Sequence, residues 1–590
     1  MNKRNINKDN LMKILGLVEF MHPEVSIKNF PAIMKMEGIG NISLHQGQRG
    51  PNWDVELAEQ FLTDIANGTR DEKHNIGVCK YYKDDMEEDV EPEEQEICMR
   101  LEDFNQRMYM IFLTASVLMW QIEDFLNSKC LNYNKNVIES KKNQLENILF
   151  YKGNIRFNVL QNDQDIFESI IMNKEISNEE IKTKYHHNLV TVYKYIKTKL
   201  GSFSYKEFLV FLENFLENTT FVLKESIGNP YDNFEAENVY RVNLTDMEKF
   251  KNLTLKVCCV HNREKICSKW DDIFESIYSI NNYSTKNIEE DILRAYILSM
   301  GDYSSITKKE LYEYLSYELL VKKVNVSDLL EDLKINIKYY EEYIKGQKND
   351  YIYGLKEFGH KQGAPLYMFI RKLLDQGNIE NDEFAKISKL ILEMAFEYEF
   401  GNELPSIFGK IYNQVIKEIK FKGVEQGIKK LESEVFIRKD DALKVMQEKA
   451  FTSSSDKHVA TYILKSIEQR INPGFNMNEK LELEHVLQET KIEKLWKKLK
   501  KDDPELFDDD TLYQSFVGRI GNLTLIKRKD NVFLKEKDFF KKRETYRNYG
   551  LISKLTYKIG TNPIYNDWNR EKIKVRGQEL SKIIEEMWFL

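Results

Sequence analysis

The chain has 590 residues, too many for one hydrophobic core, so we expect two to four domains. Its net charge of -8 argues against a protein that coats nucleic acid, and its six cysteines are too few for a disulfide framework. The longest apolar run, 110–120, is too short to span a bilayer, and the first residues lack the apolar region of a signal peptide. We therefore expect a cytoplasmic protein with no membrane association.

The first stretch that indicates function is NISLHQGQRGPNW, residues 41–53. It predicts a strand, a Gly-Pro turn and then an amphipathic helix that begins after Asp54. Gln48, Arg49 and Trp53 fall at the turn, and an Arg and a Gln beside an aromatic ring suit a phosphate or a base. The alternative is a loop that a buried Trp anchors to the sheet.

A second polar element, DFNQR at residues 103–107, leads into an apolar helix over 108–125. Further along the chain, TTFVLKE at 219–225 reads as a strand that could join the N-terminal sheet. The rest of the segment 131–470 is mostly helical in pattern and shows no repeat of fixed period. It predicts a helical connector, which ends at the turn INPG, 471–474.

The most informative stretch lies near the end, at residues 481–547. LELEHVL predicts a short buried strand, Gly521 a turn, LTLI a second strand, and Asp530 or Asn531 the N-cap of a helix with apolar positions at Phe533, Phe540 and Tyr546. This order brings Glu484 and His485 towards an amide at the start of the helix. A histidine near neutral pKa can activate water, and Glu and Asn supply the oxygen ligands that Mg²⁺ prefers.

Basic residues surround this stretch. Between Lys527 and Arg547 there are nine Lys or Arg and four Asp or Glu, a local balance of +5. A second basic cluster, 494–501, accompanies Trp496. Most charge runs are solvated helix faces, but the position of these two favours contact with a phosphate backbone. The candidate DNA contacts are Lys527, Arg528, Lys541, Lys542 and Arg543.

Glu484-His485, then Gly521-Asn522-Leu523, then Asn531 resemble the motif of an HNH (ββα-metal) nuclease. The subgroup they resemble is the C-terminal domain of GmrSD-type, modification-dependent restriction enzymes. Further matches to that subgroup are Trp496, the Lys-rich stretch 535–543, Trp568 and Arg576. The resemblance covers roughly the last 120 residues. Gln488 departs from it, because the family usually has Pro there.

The N-terminal elements resemble the ParB/sulfiredoxin-like domain of the same proteins. Gln48-Arg49 with Trp53 matches its QR-x-x-x-W element, whereas 103–107 matches its D-G-Q-Q-R element only at Asp103, Gln106 and Arg107. In the family this element is implicated in nucleotide binding and hydrolysis. Phe104 replaces the Gly that lets the backbone approach a phosphate. The resemblance therefore implies a sensor of modified bases or a nucleotide-binding domain.

Together these features predict an α+β, predominantly helical chain in three parts. They are a ParB-like α/β domain over 1–130, which the strand 219–225 could complete, the helical connector over 131–470, and an HNH nuclease domain over 471–590. The N-terminal sensing residues would be Gln48, Arg49, Trp53, Asp103, Gln106 and Arg107.

The predicted activity is a Mg²⁺-dependent (or Mn²⁺-dependent) DNA endonuclease of a bacterial restriction or anti-phage defence system. His485 and Asn522 would be the catalytic residues, with His485 as the general base and Asn522 bracing it, and Glu484 and Asn531 would hold the metal. The N-terminal domain would gate cleavage, with a nucleoside triphosphate as an optional cofactor and phage or modified DNA as the partner. A catalytically weak regulatory partner and an RNA-cleaving nuclease remain as alternatives, and a homo-oligomer is left open.

Overall fold

The computed structural model describes residues 25–33, 39–68, 73–84, 97–127, 135–226, 245–281, 288–303, 306–307, 310–401, 405–435, 437–488, 510–535 and 537–589. The chain divides into two compact units. The N-terminal unit comprises Met1–Glu290 and Tyr312–Lys334, and the C-terminal unit comprises Asp291–Leu311 and Ile335–Leu590. These divisions differ from the boundaries at 130 and 470 that the sequence predicted.

The first part of the chain contains all but two of the described strands. They are β1 (Val25–Asn29), β2 (Ile39–Leu44), β3 (His74–Asp84), β4 (Ile97–Leu101), β5 (Phe150–Tyr151), β6 (Asn154–Ile155), β7 (Phe157–Asn158) and β8 (Thr219–Glu225). The helices there are α1 (Phe30–Ile33), α2 (Val55–Ala66), α3 (Asn105–Asn127), α4 (Lys135–Leu149), α5 (Gln161–Ile171), α6 (Lys184–Gly201), α7 (Tyr205–Glu213), α8 (Asp246–Val257) and α9 (Arg263–Asn281).

Six of these strands form a mixed sheet in the order β1-β8-β3-β4-β2-β7. β8 forms over the residues that the sequence predicted, and it pairs antiparallel with β1 and parallel with β3. β2 lies between β4 and β7, parallel to both. The N-terminal unit therefore extends well past residue 130, because strands at 157 and 219 complete its sheet.

Helix α3 lies in the core of this unit. Its stretch Met108–Met119 is almost wholly apolar and contains no Gly or Pro, so every face of the helix can be buried. By length and composition it is the one described helix that could cross a membrane, and 67% of its most apolar window is buried inside the structure. Helix α2 begins as predicted, since the Asp54 side chain accepts a hydrogen bond from the Leu57 amide at 3.0 Å.

The chain then continues with α10 (Ile288–Ser299), α11 (Leu311–Leu320), α12 (Val326–Lys345), α13 (Asp350–Glu357), α14 (Ala364–Asp375), α15 (Asn381–Phe400), α16 (Pro405–Lys422), α17 (Val424–Val435), α18 (Lys439–Glu448) and α19 (Ser454–Ile471). The last part consists of β9 (Leu481–His485), α20 (Asp510–Val517), β10 (Leu523–Lys527), α21 (Arg528–Leu534), α22 (Phe539–Tyr546), α23 (Lys554–Thr561) and α24 (Arg570–Ile584). The chain is thus predominantly helical with a small mixed sheet, as expected.

A small apolar cluster underlies the β9–β10 hairpin. It includes Val486, Leu487, Ile526, Leu534 and Trp568. The cluster takes residues from the segment after β9, from the end of β10 and from the end of α21. Burial of their apolar side chains therefore holds the two strands and the helix together. This packing places the polar side chains of the hairpin beside those of the helix.

Candidate active site

The hairpin and the helix after it form a ββα element. β9 and β10 are antiparallel, with Glu484 opposite Thr524 and His485 opposite Leu523. α21 begins at the residue after β10, so the helix starts where the hairpin ends. Both strands form where the sequence predicted them, and Ile526 of β10 and Val486 and Leu487, which follow β9, pack in the cluster beneath.

The helical part of this element differs from the prediction. Asn531 lies inside α21, whose N-cap is Lys527, so neither Asp530 nor Asn531 is the N-cap. The sequence predicted one helix here, but the structure has two, α21 and α22. Asp538 is the N-cap of α22, since its side chain accepts a hydrogen bond from the Lys541 amide at 3.0 Å. Leu534 and Tyr546 are buried, whereas Phe533 is 63% exposed and does not form the apolar face.

Three predicted site residues, Glu484, His485 and Asn531, line one cavity of about 310 Å³. His485 is half-buried and lines the wall of the cavity, so solvent can reach this residue. The other lining residues are Lys457, Leu483, Gln488, Val532, Lys535 and Lys542. The cavity therefore places a carboxylate, an imidazole and an amide among several ammonium groups.

Glu484 is paired with a buried lysine. The Lys542 ammonium lies 2.6 Å from Glu484 Oε1, and both side chains are almost completely buried. Lys542 also donates to the His485 carbonyl, and the Tyr546 hydroxyl donates to Glu484 Oε1 at 3.3 Å. Burial raises the pKa of Glu484 and lowers that of Lys542, and the ion pair counteracts both shifts.

This pairing changes the role expected for Lys542. The sequence predicted a surface contact with DNA, but an ammonium held between Glu484 and the His485 carbonyl is not presented to a phosphate backbone. Its neighbours differ from it, since Lys541 is exposed and Arg543 donates to the Asn562 carbonyl at 3.3 Å. Lys542 thus holds the site together from within.

Among the other predicted DNA contacts, Lys527 is half-buried at the end of β10. Arg528 is 86% exposed and lies 3.6 Å from Glu482. Two lysines that were not singled out as contacts, Lys457 on α19 and Lys535 after α21, line the cavity itself. The basic cluster around Trp496 lies outside the described residues.

The amide of Asn531 has a fixed orientation. Its nitrogen donates to Glu482 Oε2 at 3.0 Å and to the Leu483 carbonyl at 3.4 Å. Glu482 was not recognised from the sequence, although its place two residues before Glu484 puts both carboxylates on the same side of β9. Alternation along the strand was the only signal that could have identified it.

Asn522 is fully buried and braces the segment after β9. Its side chain accepts from the Leu487 amide at 2.7 Å and from the Trp568 indole at 2.9 Å, and it donates to the carbonyls of Leu487 and Val517 at 2.9 and 2.8 Å. With both amide protons and the oxygen used, Asn522 has nothing left to offer a substrate. It is therefore a positioning residue rather than a catalytic one.

The glycine and leucine around Asn522 also have structural reasons. A Cβ on Gly521 would lie 2.0 Å from the Ile573 carbonyl oxygen on α24, so only glycine allows this approach. Arg576, also on α24, donates to the carbonyls of Gly521 and Leu523 at 2.8 and 2.7 Å. The GNL turn is thus fixed against the last helix.

Gln488 stands where the family usually has Pro, and hydrogen bonds shape its loop. Its side-chain nitrogen donates to the Lys537 carbonyl, and its own carbonyl accepts from the Tyr513 hydroxyl. Lys537 lies between α21 and α22, so this contact ties the loop after β9 to the helical part of the ββα element.

In the N-terminal unit, the two predicted polar elements meet. The Asn105 amide donates to Gln48 Oε1 at 2.9 Å, and Gln106 donates to the Gly50 carbonyl at 3.0 Å and accepts from the Asn52 amide at 2.7 Å. Trp53 packs against Phe61 with ring centroids 6.1 Å apart. The loop is therefore held against the start of α3, and Asn105 is a member of this network that was not predicted.

Arg49 lines a separate small cavity of about 20 Å³, which has room for little more than a water molecule. The lining also contains Lys251 and three carboxylates, Asp163, Glu248 and Asp271. Burial raises the pKa of Asp271 to about 6. The small space and its three carboxylates favour a water molecule over a triphosphate at this point. Asp103 and Arg107 do not line it.

The site's donors fit a hard divalent cation with few protein ligands. Glu484 and the Asn531 oxygen are the candidates, and no group of three or more His, Cys, Asp or Glu that could hold a metal occurs in the described ranges. Two protein oxygens suit Mg²⁺, which keeps several waters and takes phosphate oxygens as ligands. They do not suit a structural zinc site, which needs four protein ligands.

Comparison with protein families gives one match. Residues 436–583 match the model described as GmrSD restriction endonucleases, C-terminal domain. The matched segment contains β9, β10 and the described residues of the cavity. No curated protein matches the chain.

Replacing Asn522 by Ala should destabilise the hairpin region by roughly 3 kcal/mol, because several buried groups lose their partners. Hydrogen exchange at the amides of β9 and β10 measures the effect locally. The exposed Asn566 provides the control, and Asn566→Ala should leave exchange unchanged. Equal exchange in both variants would contradict the bracing role.

Proposed function

We propose that the chain is a Mg²⁺-dependent DNA endonuclease with an HNH-type (ββα-metal) site, because residues 436–583 match the model of the C-terminal domain of GmrSD restriction endonucleases. One observation carries the proposal. Glu484, His485 and Asn531 come from a strand and a helix of one ββα element, and all three line the same cavity. We further propose that it acts in the cytoplasm in defence against phage or modified DNA.

His485 is the general base in this proposal. Its imidazole is half-buried and lines the cavity, where it accepts a proton from the attacking water. The Lys542 ammonium fixes the His485 carbonyl, and Asn522 fixes the backbone of Leu487 two residues later. The backbone that carries the imidazole is thus fixed at His485 itself and two residues after it.

Glu484 and Asn531 would hold the divalent cation. When bound, such an ion neutralises charge on the phosphate and on the leaving oxygen. Burial raises the pKa of Glu484, and the Lys542 ammonium beside it opposes this shift and so favours the ionised form that a metal ligand needs. Tyr546 donates to the same carboxylate oxygen and helps to fix its orientation.

The cations on the cavity wall are the proposed phosphate contacts. Lys457 reaches it from α19 and Lys535 from the end of α21, so the two ammonium groups come from different elements of the cavity lining. Lys541, Lys527 and Arg528 would extend the contact along the backbone of the DNA. The buried Lys542 is not part of this set.

His485→Ala should lower cleavage of plasmid DNA with Mg²⁺ by about 10²-fold or more, because the general base is lost. His261→Ala is the matched control, since His261 is an exposed histidine of the N-terminal unit. Circular dichroism should show that both variants fold like the parent. Equal cleavage by His485→Ala and the parent would overturn the assignment.

Two parallel assays separate the alternatives. RNA of the same sequence tests for an RNA nuclease, because a metal site of this kind reads phosphate rather than sugar. A parent chain that binds DNA without cutting it, with either Mg²⁺ or Mn²⁺, would instead indicate a regulatory partner.

Lys457→Gln should weaken DNA binding and lower the slope of log K against log salt by about 0.9, the value for one phosphate contact. The binding is best measured in a His485→Ala chain, so that cleavage does not interfere. Lys457→Arg should bind like the parent, because it keeps the charge.

Arg470 offers the control for Lys457. It is exposed near the other end of α19, about 20 Å along the helix, and Arg470→Gln removes the same charge. An equal loss of affinity in both variants would mean that only the net charge matters.

We also propose that the N-terminal unit gates cleavage by sensing the DNA. What supports this is the loop at 45–50, which is held against α3 by Gln48, Asn105 and Gln106 while Arg49 lines a cavity. These hydrogen bonds anchor the loop, and Arg49 is only half-buried, which suits a residue that contacts DNA. Nucleotide turnover forms no part of this proposal.

Arg49→Ala should reduce the difference in cleavage rate between modified and unmodified phage DNA, while cleavage itself persists. The measurement is a time course on both DNAs at equal Mg²⁺ concentration. Lys206→Ala, at an exposed lysine of the same unit, should discriminate as the parent does. Unchanged discrimination by Arg49→Ala would exclude this loop as the sensor.

A further inference from the structure

The pair Glu482 and Asn531 defines which atom of Asn531 faces the cavity. The Asn531 nitrogen lies 3.0 Å from Glu482 Oε2 and 3.4 Å from the Leu483 carbonyl oxygen. Both neighbours only accept hydrogen bonds, so the NH₂ group, not the oxygen, must lie on this side. Two acceptors use both of its protons.

Because the nitrogen of Asn531 faces Glu482 and Leu483, its amide oxygen points away from these two residues. Asn531 lines the cavity that Glu484 and His485 also line, whereas Glu482 does not line it. Within the side chain of Asn531, only the amide oxygen can act as a metal ligand, because the nitrogen lone pair is delocalised into the amide. A flipped amide would present protons to a cation and repel it.

We infer that Glu482 is the positioning residue for Asn531, holding its oxygen towards the cation site. The inference rests on the proposed function, in which Asn531 is a metal ligand. Residues that orient a metal ligand commonly affect metal affinity by 10- to 100-fold. The Leu483 carbonyl alone cannot do this as well, since its contact is the longer of the two.

Two other roles for Glu482 have to be distinguished from this one. Its second oxygen, Oε1, lies 3.6 Å from Arg528, so Glu482 could serve only as the partner of an exposed arginine. Such exposed ion pairs contribute little to the stability of the fold. Glu482 could also bind the cation directly, although it lies outside the cavity lining.

The test uses the full-length chain with His485→Ala, so that cleavage is absent, and measures Mn²⁺ affinity by calorimetry without DNA. Glu482→Ala should weaken Mn²⁺ binding about 10-fold or more. Glu482→Gln should bind within about threefold of the parent, because its amide oxygen still accepts from Asn531. Glu479→Ala, which removes a nearby exposed carboxylate, should have no effect beyond that of charge.

A double-mutant cycle with Asn531→Asp gives the decisive result. An aspartate at 531 presents an oxygen to the cation whichever way its carboxylate is turned. Glu482→Ala should therefore not weaken Mn²⁺ binding further in the Asn531→Asp chain. If Glu482→Gln loses affinity as Glu482→Ala does, and the loss persists with Asn531→Asp, Glu482 is a direct ligand and the inference is wrong. If Glu482→Ala binds Mn²⁺ like the parent, Glu482 does not position Asn531 and only pairs with Arg528, and the inference is equally wrong.

Failure of the proposed function has a separate signature. If Asn531→Ala binds Mn²⁺ as the parent does, or if the parent binds none, Asn531 is no ligand and the role of Glu482 falls with it. If Asn531→Ala loses affinity while Glu482→Ala does not, the proposed metal site stands and only the positioning role is overturned.

Discussion

The site depends on one buried amide. Asn522 joins the chain after β9, the end of α20 and Trp568, two residues before α24, through four hydrogen bonds of a single side chain. These segments are distant in sequence, and none of them contains a long regular element that would hold the others. The sheet here has only two strands of five residues each, so it supplies few backbone hydrogen bonds. The hydrogen bonds of the Asn522 side chain provide the additional connections between the segments.

Around this brace, the polar groups fall into two sets with different surroundings. Glu484 and Lys542 are buried together, so the carboxylate is already compensated by a cation of the protein. Glu482 and Asn531 form a second, more exposed pair on the same side of β9. A buried pair is expensive to break because removing either partner would leave the charge of the other uncompensated.

Much of this region could be predicted from the sequence. β9, β10 and β8 formed at their predicted residues, because short apolar runs bounded by turns leave few alternatives. The convergence of Glu484, His485 and Asn531 on one cavity followed from the order of the elements. The sequence pattern could not show which side chains of a charged run face inward. Lys541, Lys542 and Arg543 look alike in sequence, and only packing decides that the middle one faces inward. Lys457 and Glu482 were missed for a related reason, since their partners lie far along the chain or in another element.

Phe104 departs from the glycine expected at its position, and its backbone retains the conformation that glycine favours, with φ at 89°. Such a conformation costs a bulky residue about 1–3 kcal/mol. Its ring is buried and stacks on Phe221 of β8 with centroids 5.0 Å apart, which returns an amount of the same order. The turn before α3 is therefore tied to a strand more than a hundred residues away by an aromatic plug. The ring of Phe104 therefore fills a turn where a glycine would leave the backbone open to a ligand, and its stacking joins the start of α3 to β8.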